Sequence, residues 1–144
     1  MCCNATKQST LWLKKLMDSK GGKMTFWKMI RTNCRSYYLT EYLWSMGNHV
    51  SGVLRKPNWN RQQDSCIYSG FHVYLDKNKA ISDVISFRKD EGVSLLEVEC
   101  DVKDLLGAET LFQHTAVFKK VVVTKTGWNK FLKTTNAYIR RIGK

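Results

Sequence analysis

The chain has one proline in 144 residues, and no low-complexity tract breaks it. With 43% apolar residues and only nine glycines, that excludes a disordered or fibrous protein. No apolar run approaches the roughly 18 residues that a membrane span needs. The opening stretch, MCCNATKQSTLWLKKLMDSK, is too polar for a secretory signal. No C-x-x-C occurs among the five cysteines (Cys2, Cys3, Cys34, Cys66 and Cys100). Odd in number and irregularly spaced, they read as reduced thiols of a cytoplasmic protein. His49, His72 and His114 lie far apart, and no cysteine pair has zinc-ligand spacing, so no metal is expected. A glycine-rich phosphate loop after a strand is missing, as is G-x-S-x-G, and no cofactor is expected. Acid is missing altogether from residues 110–144.

What the chain does have is positive charge at both ends. The formal net charge is +12. Residues 1–35 carry a net +7, residues 36–75 +1, residues 76–109 −4 and residues 110–144 +8. This asymmetry suggests two cationic termini that converge on one face, with an acidic middle turned elsewhere. The length is that of one ordinary domain, 1–144.

Periodicity supplies the elements. Ser9 or Thr10 is the expected cap of a short helix running to about Ser19, with Leu11, Trp12, Leu13 and Leu16 apolar and Gly21-Gly22 ending it. Alternation predicts strands over 24–31 and 36–44, joined as a hairpin, a brief strand over 50–54, and one strand over 66–75. Asp76 caps a helix, KNKAISDVISF, with the stripe Ala80, Ile81, Val84 and Ile85. A strand over 93–100 turns Leu96, Val98 and Cys100 inward and Glu97 and Glu99 outward, and DVKDLLGAE reads as a turn or one helical turn. AVFKKVVVTK, 116–125, is the strongest strand signal, followed by a basic amphipathic helix from Trp128 to Ile142. Together these predict an α+β fold: a mainly antiparallel twisted sheet with a short N-terminal helix, a mid-chain helix and a C-terminal amphipathic helix.

Two constellations carry possible chemistry. His72 and Tyr74 share a strand face, and Glu97 and Glu99 share another. This H-x-Y and E-x-E resemble residues that some ADP-ribosyltransferases use, and the resemblance implies an enzyme of that type, or another small enzyme, with His72, Tyr74 and Glu97 or Glu99 in one cleft. The plainer reading is a half-buried histidine and an outward acidic strip. The basic residues are the broader signal. Lys28 and Arg31 near one end, and Lys119, Lys120, Lys125, Lys130, Lys133, Arg140 and Arg141 at the other, suit phosphates, with Trp128 as a stacking platform.

The succession FWKMIR, SGFHVYLDKNKAI, LLEVECDV and VFKKVVVTK resembles a loose class of small phage and prophage proteins of unassigned role. The resemblance covers Lys23 to Lys125, implies an accessory role in the host cytoplasm, such as modulation of a defence system, and assigns no catalytic residue. The expectation is a small basic protein, without enzymatic activity, that binds nucleic acid or a nucleic-acid-bearing host protein and does not bind a membrane. The alternatives are an inhibitor working through protein contacts alone and the His72/Tyr74/Glu97 enzyme.

Overall fold

The computed structural model describes residues 3–36, 42–52, 57–67 and 69–142, without the side chains of 87–91 and 135–142. Its elements, in order, are β1 (Cys3–Thr6), α1 (Lys7–Ser19), β2 (Lys23–Arg31), β3 (Gly47–Val50), β4 (Asp64–Ile67), β5 (Phe71–Tyr74), α2 (Lys77–Glu91), β6 (Val93–Asp101), β7 (Leu105–Glu109), β8 (Thr115–Phe118), β9 (Lys120–Val123) and α3 (Lys125–Ile142). The fold is α+β; the described residues form three α-helices and a nine-stranded antiparallel sheet of order β3-β9-β6-β2-β5-β8-β7-β1-β4.

The antiparallel pairing was expected from short hairpin links, but that is not its origin. Among the named strands, only β7 and β8 are both consecutive and paired. The remaining ladders join strands distant in sequence, such as β1 with β7 (Thr6↔Ala108) and β3 with β9 (His49↔Val121).

Lys119 explains the shape. Phe118 ends β8, between β5 and β7, and Lys120 opens β9, between β3 and β6. One residue separates two strands that stand four places apart in the order, so the sheet rolls back on itself. The expected single strand over 116–125 is therefore two, bent where Lys119 N–H donates to Asp104 O at 2.9 Å and its carbonyl accepts from Ser51 N at 2.8 Å.

The inside of the roll is the main core. Phe26, Ile30, Phe71, Val73, Leu96, Val98, Phe118, Val121 and Val123 meet there. Phe26 and Phe118 stack with centroids 5.7 Å apart. Leu13 and Met17 of α1 and Phe131 of α3 complete it. On the outer side, α2 lays Ala80 and Val84 on Met29, Tyr74 and Val93. Period-2 alternation in β2 thus divides Phe26, Lys28 and Ile30 (inner) from Trp27 and Met29 (outer).

Several expectations change. Helix α1 starts at Lys7, capped by Thr6, whose hydroxyl accepts from Ser9 N at 3.0 Å. Ser9 and Thr10, the expected caps, instead turn to β7: Thr10 Oγ1 accepts from Ala108 N at 3.0 Å and Ser9 Oγ from Thr110 N at 3.2 Å. The buried stripe is Ser9, Leu13 and Met17, leaving Leu11 and Trp12 more than half exposed. The expected strand over 66–75 is two, β4 and β5, because Gly70 breaks it at φ +91°. A Cβ there would stand 2.8 Å from Val117 Cγ1. Residues 102–109 form a 3-10 turn and then β7, and β1 was not expected at all. The expected strand over 50–54 is displaced: β3 covers Gly47–Val50, residues 51–52 are not strand, and 53–56 fall outside the described residues. Of the expected strand over 36–44, residues 37–41 also fall outside them. The flanking segments pair with each other, through Arg35↔Leu43 and Trp44 N to Cys34 O at 2.7 Å. The expected hairpin with β2 reduces to the bridge Ile30↔Ser36.

Candidate binding groove

Helix α2 is placed by polar groups at its start. Asp76 caps it, accepting from Asn78 N at 2.9 Å, and Tyr74 Oη donates to Asp83 Oδ2 at 2.7 Å, fastening the helix to β5. Helix α3 is placed by β6. The last pair of β6 with β9 is Glu99↔Val122, and the chain then turns into α3 beside the rest of β6. Gly127 permits this approach, since a Cβ there would stand 2.9 Å from the Glu97 carbonyl oxygen. Phe131 is buried and stacks on Trp128 at 5.5 Å.

Between the two helices lies a groove of about 440 Å³. Trp27 and Leu95 from the outer face of the sheet and Val84 from α2 make its floor, and Ile81 and Ile85 make one wall. Ile85 is 65% exposed and Ile81 38%, so the α2 stripe is wider than the sheet can cover. Lys77 from α2 and Lys130 and Lys133 from α3 stand around this apolar lining, with Ser94 and Thr134. Lys130 Nζ meets Glu97 Oε1 at 3.2 Å, an exposed pair of small energetic weight. Trp27 Nε1 is buried at the floor, with no acceptor among the described residues. The groove therefore offers flat apolar surface, three ammonium groups, one carboxylate and a free indole donor.

The other expected residues are distributed as follows. His72 Nε2 donates to Ile67 O at 2.9 Å, and burial, reinforced by nearby Lys28, lowers its imidazole from 6.5 to about 4. Tyr74 is engaged with Asp83. Tyr74 and Glu97 both register with Trp27, from opposite sides, which puts them two strands or about 10 Å apart. His72, Tyr74 and Glu97 thus share the outer face without converging in one cleft. Glu99 faces Lys23, Lys103 and Lys120 in a small mixed-charge recess with Asp101 and Asp104. Lys119 is half-buried at the bend, Arg31 is half-buried at the end of β2, and Lys125 is exposed where α3 begins. Trp128 is half-buried against Phe131 and the core, so little of its face is open. Arg140 and Arg141 lie on α3, with side chains outside the described residues.

Lys28 points into the roll. Its Nζ donates to His72 O at 2.9 Å and stands 5.7 Å from the centroid of Trp44. Burial lowers its ammonium from 10.5 to about 8, although part of the side chain still meets solvent. No residue of the basic set between Lys7 and Arg35 lines the groove. Lys77, drawn from the acidic segment, does line it. The sequence signals for the groove were the surplus isoleucines of α2 and the odd parity of Trp27.

Among the described residues, no group of three or more His, Cys, Asp or Glu side chains is placed to hold a metal. The four described cysteines are free, with Cys3 and Cys100 buried. No helix among the described residues is long and apolar enough to cross a membrane. No family model, curated protein or solved structure significantly matches the chain.

Proposed function

We propose that the protein is a non-enzymatic accessory protein that binds a single strand of nucleic acid in the α2–α3 groove. The carrying observation is the set Lys77, Lys130 and Lys133 around an apolar floor that contains Trp27. Lysines neutralise phosphates, and a flat apolar surface accepts bases without regard to their order. The groove is too shallow in charge for a duplex and too apolar for phosphates alone. The overall charge of +12 adds long-range attraction for a polyanion. An accessory role of the kind implied by the resemblance follows if the strand belongs to a host nucleoprotein.

The test is fluorescence anisotropy of a labelled oligothymidylate between 50 and 300 mM salt. Three groove contacts predict a log–log salt slope near −2, from about −0.7 per contact on single strands. Exchanging Lys77, Lys130 and Lys133 for Glu should remove the binding and flatten the slope. An unchanged affinity in that folded variant refutes the proposal. Tight capture of one host protein after nuclease treatment would favour an inhibitor acting by protein contacts.

A further inference from the structure

Within the groove, one group works against a polyanion. Glu97 sets a carboxylate among Lys77, Lys130 and Lys133. The sheet fixes its position: Trp27 and Glu97 are direct cross-strand partners in the β2–β6 ladder, and both line the groove. Side chains opposite one another on a sheet face have Cβ atoms about 5 Å apart, so a base resting on the indole brings one edge to the carboxylate.

Lys130 shows which way that carboxylate points. Its Nζ stands 3.2 Å from Oε1 and 3.3 Å from Oε2, nearly equidistant, and so occupies the fork between the two oxygens. Both oxygens are therefore turned toward α3, on the other side of the groove. The ammonium is weakly held there. Its side chain is 63% exposed, both contacts are long for a charge-assisted bond, and exposed ion pairs contribute little. A ligand with two adjacent N–H donors can take the fork and release Lys130 to a phosphate.

An ionised carboxylate only accepts hydrogen bonds. Among the common bases, guanine alone presents two donors side by side on its Watson–Crick edge, N1–H and N2–H. Adenine and cytosine set one amino donor beside a ring acceptor. The N3–H of thymine or uracil lies between two carbonyl oxygens, which a carboxylate repels. Splayed bases of single strands are read in this manner, stacked on an aromatic ring and hydrogen-bonded along the Watson–Crick edge.

We propose, resting on the single-strand reading of the groove, that Glu97 selects guanine at one position of the bound strand. Trp27 and the aliphatic lining accept any base, and Glu97 decides which base is held beside them. Guanine N1–H and N2–H donate to the two carboxylate oxygens, and Lys130 turns from Glu97 to a neighbouring phosphate. Lys77 and Lys133 stay on the backbone of the strand.

The experiment is competition anisotropy at fixed salt, with a labelled oligothymidylate as probe. The competitors are oligothymidylates that carry one central guanine, adenine, cytosine or hypoxanthine. Guanine should bind about tenfold more tightly than thymine. Hypoxanthine, which keeps N1–H and lacks the 2-amino group, should lose about threefold of that gain. Glu97→Gln should bind all the competitors within about twofold, because its amide has one donor and one acceptor and every base offers the complement. That variant should also hold plain oligothymidylate more tightly, since a negative charge has left the groove. Lys130→Met, which leaves the carboxylate in place, should weaken every competitor and keep the preference for guanine. Binding without a guanine preference, equal affinity for guanine and hypoxanthine, or a preference that survives in Glu97→Gln overturns the proposal and leaves the single-strand function standing. Failure of every oligomer to bind overturns both.

Discussion

Lys28 makes stability rise with pH in a window where most proteins gain nothing. In the unfolded chain its ammonium titrates near 10.5, and in the folded chain burial lowers this to about 8. Between those values the unfolded state holds the extra proton, so raising the pH favours folding. Below about 8 both states are protonated and the folded one bears the full cost of a desolvated cation. Above 10.5 both are neutral and that cost is gone. A difference of about 2.5 units corresponds to a ceiling near 3.4 kcal/mol, at 1.36 kcal/mol per unit. Because Lys28 still touches solvent, about 2 kcal/mol is expected. Lys28→Met removes the group and leaves His72 O without its donor, a loss that does not vary with pH. The measurement is urea unfolding of parent and variant at pH 7, 8, 9 and 10. The parent should gain about 2 kcal/mol on the variant across that range. A stability difference that stays flat with pH refutes the burial argument, whatever its absolute size.

Other consequences are open to measurement. His72, held neutral down to about 4, should cost the fold up to about 3 kcal/mol as the pH falls from 6.5 to 4, because the unfolded state then binds the proton first. His72→Asn, which retains a donor for Ile67 O, should flatten that acid limb in pH-dependent unfolding. Gly107→Ala places a methyl 2.5 Å from Ile67 Cδ1 and 2.9 Å from Ala5 Cβ, and should cost about 1–3 kcal/mol by urea titration. Tyr74→Phe deletes the tie to Asp83 and should cost about 1 kcal/mol, with faster hydrogen exchange confined to α2.

The parts of the fold that were readable in advance rest on local physics. The Asp76 cap, the α2 stripe and the alternation of Leu96, Val98 and Cys100 are set by neighbours within a few residues, and they stand where periodicity puts them. What escaped depends on distant partners. Residues 116–123 read as a single strand with Lys119 and Lys120 at its middle, yet they change neighbours at Lys119 because of partners distant in sequence. Cys3–Thr6 is a strand only because Asp64–Ile67 and Ala108 flank it. The same holds for function. Lys130, Lys133 and Glu97 were legible as charged surface residues, but their meeting with Lys77 and Trp27 needs α2 and α3 to lie side by side. Lys28 was read as surface charge because lysine is rarely turned inward, although its parity with Phe26 and Ile30 already placed it on their side.

The bend at Lys119 bears on when the chain acquires its structure. Residues 115–123 supply the partner for β5 and β7 at one end and for β3 and β6 at the other, so the roll cannot close until they have been made. On a ribosome, the first hundred residues would wait with their strand edges open. Refolding should be slow for a chain of this size, because nearly every ladder must join segments far apart along it.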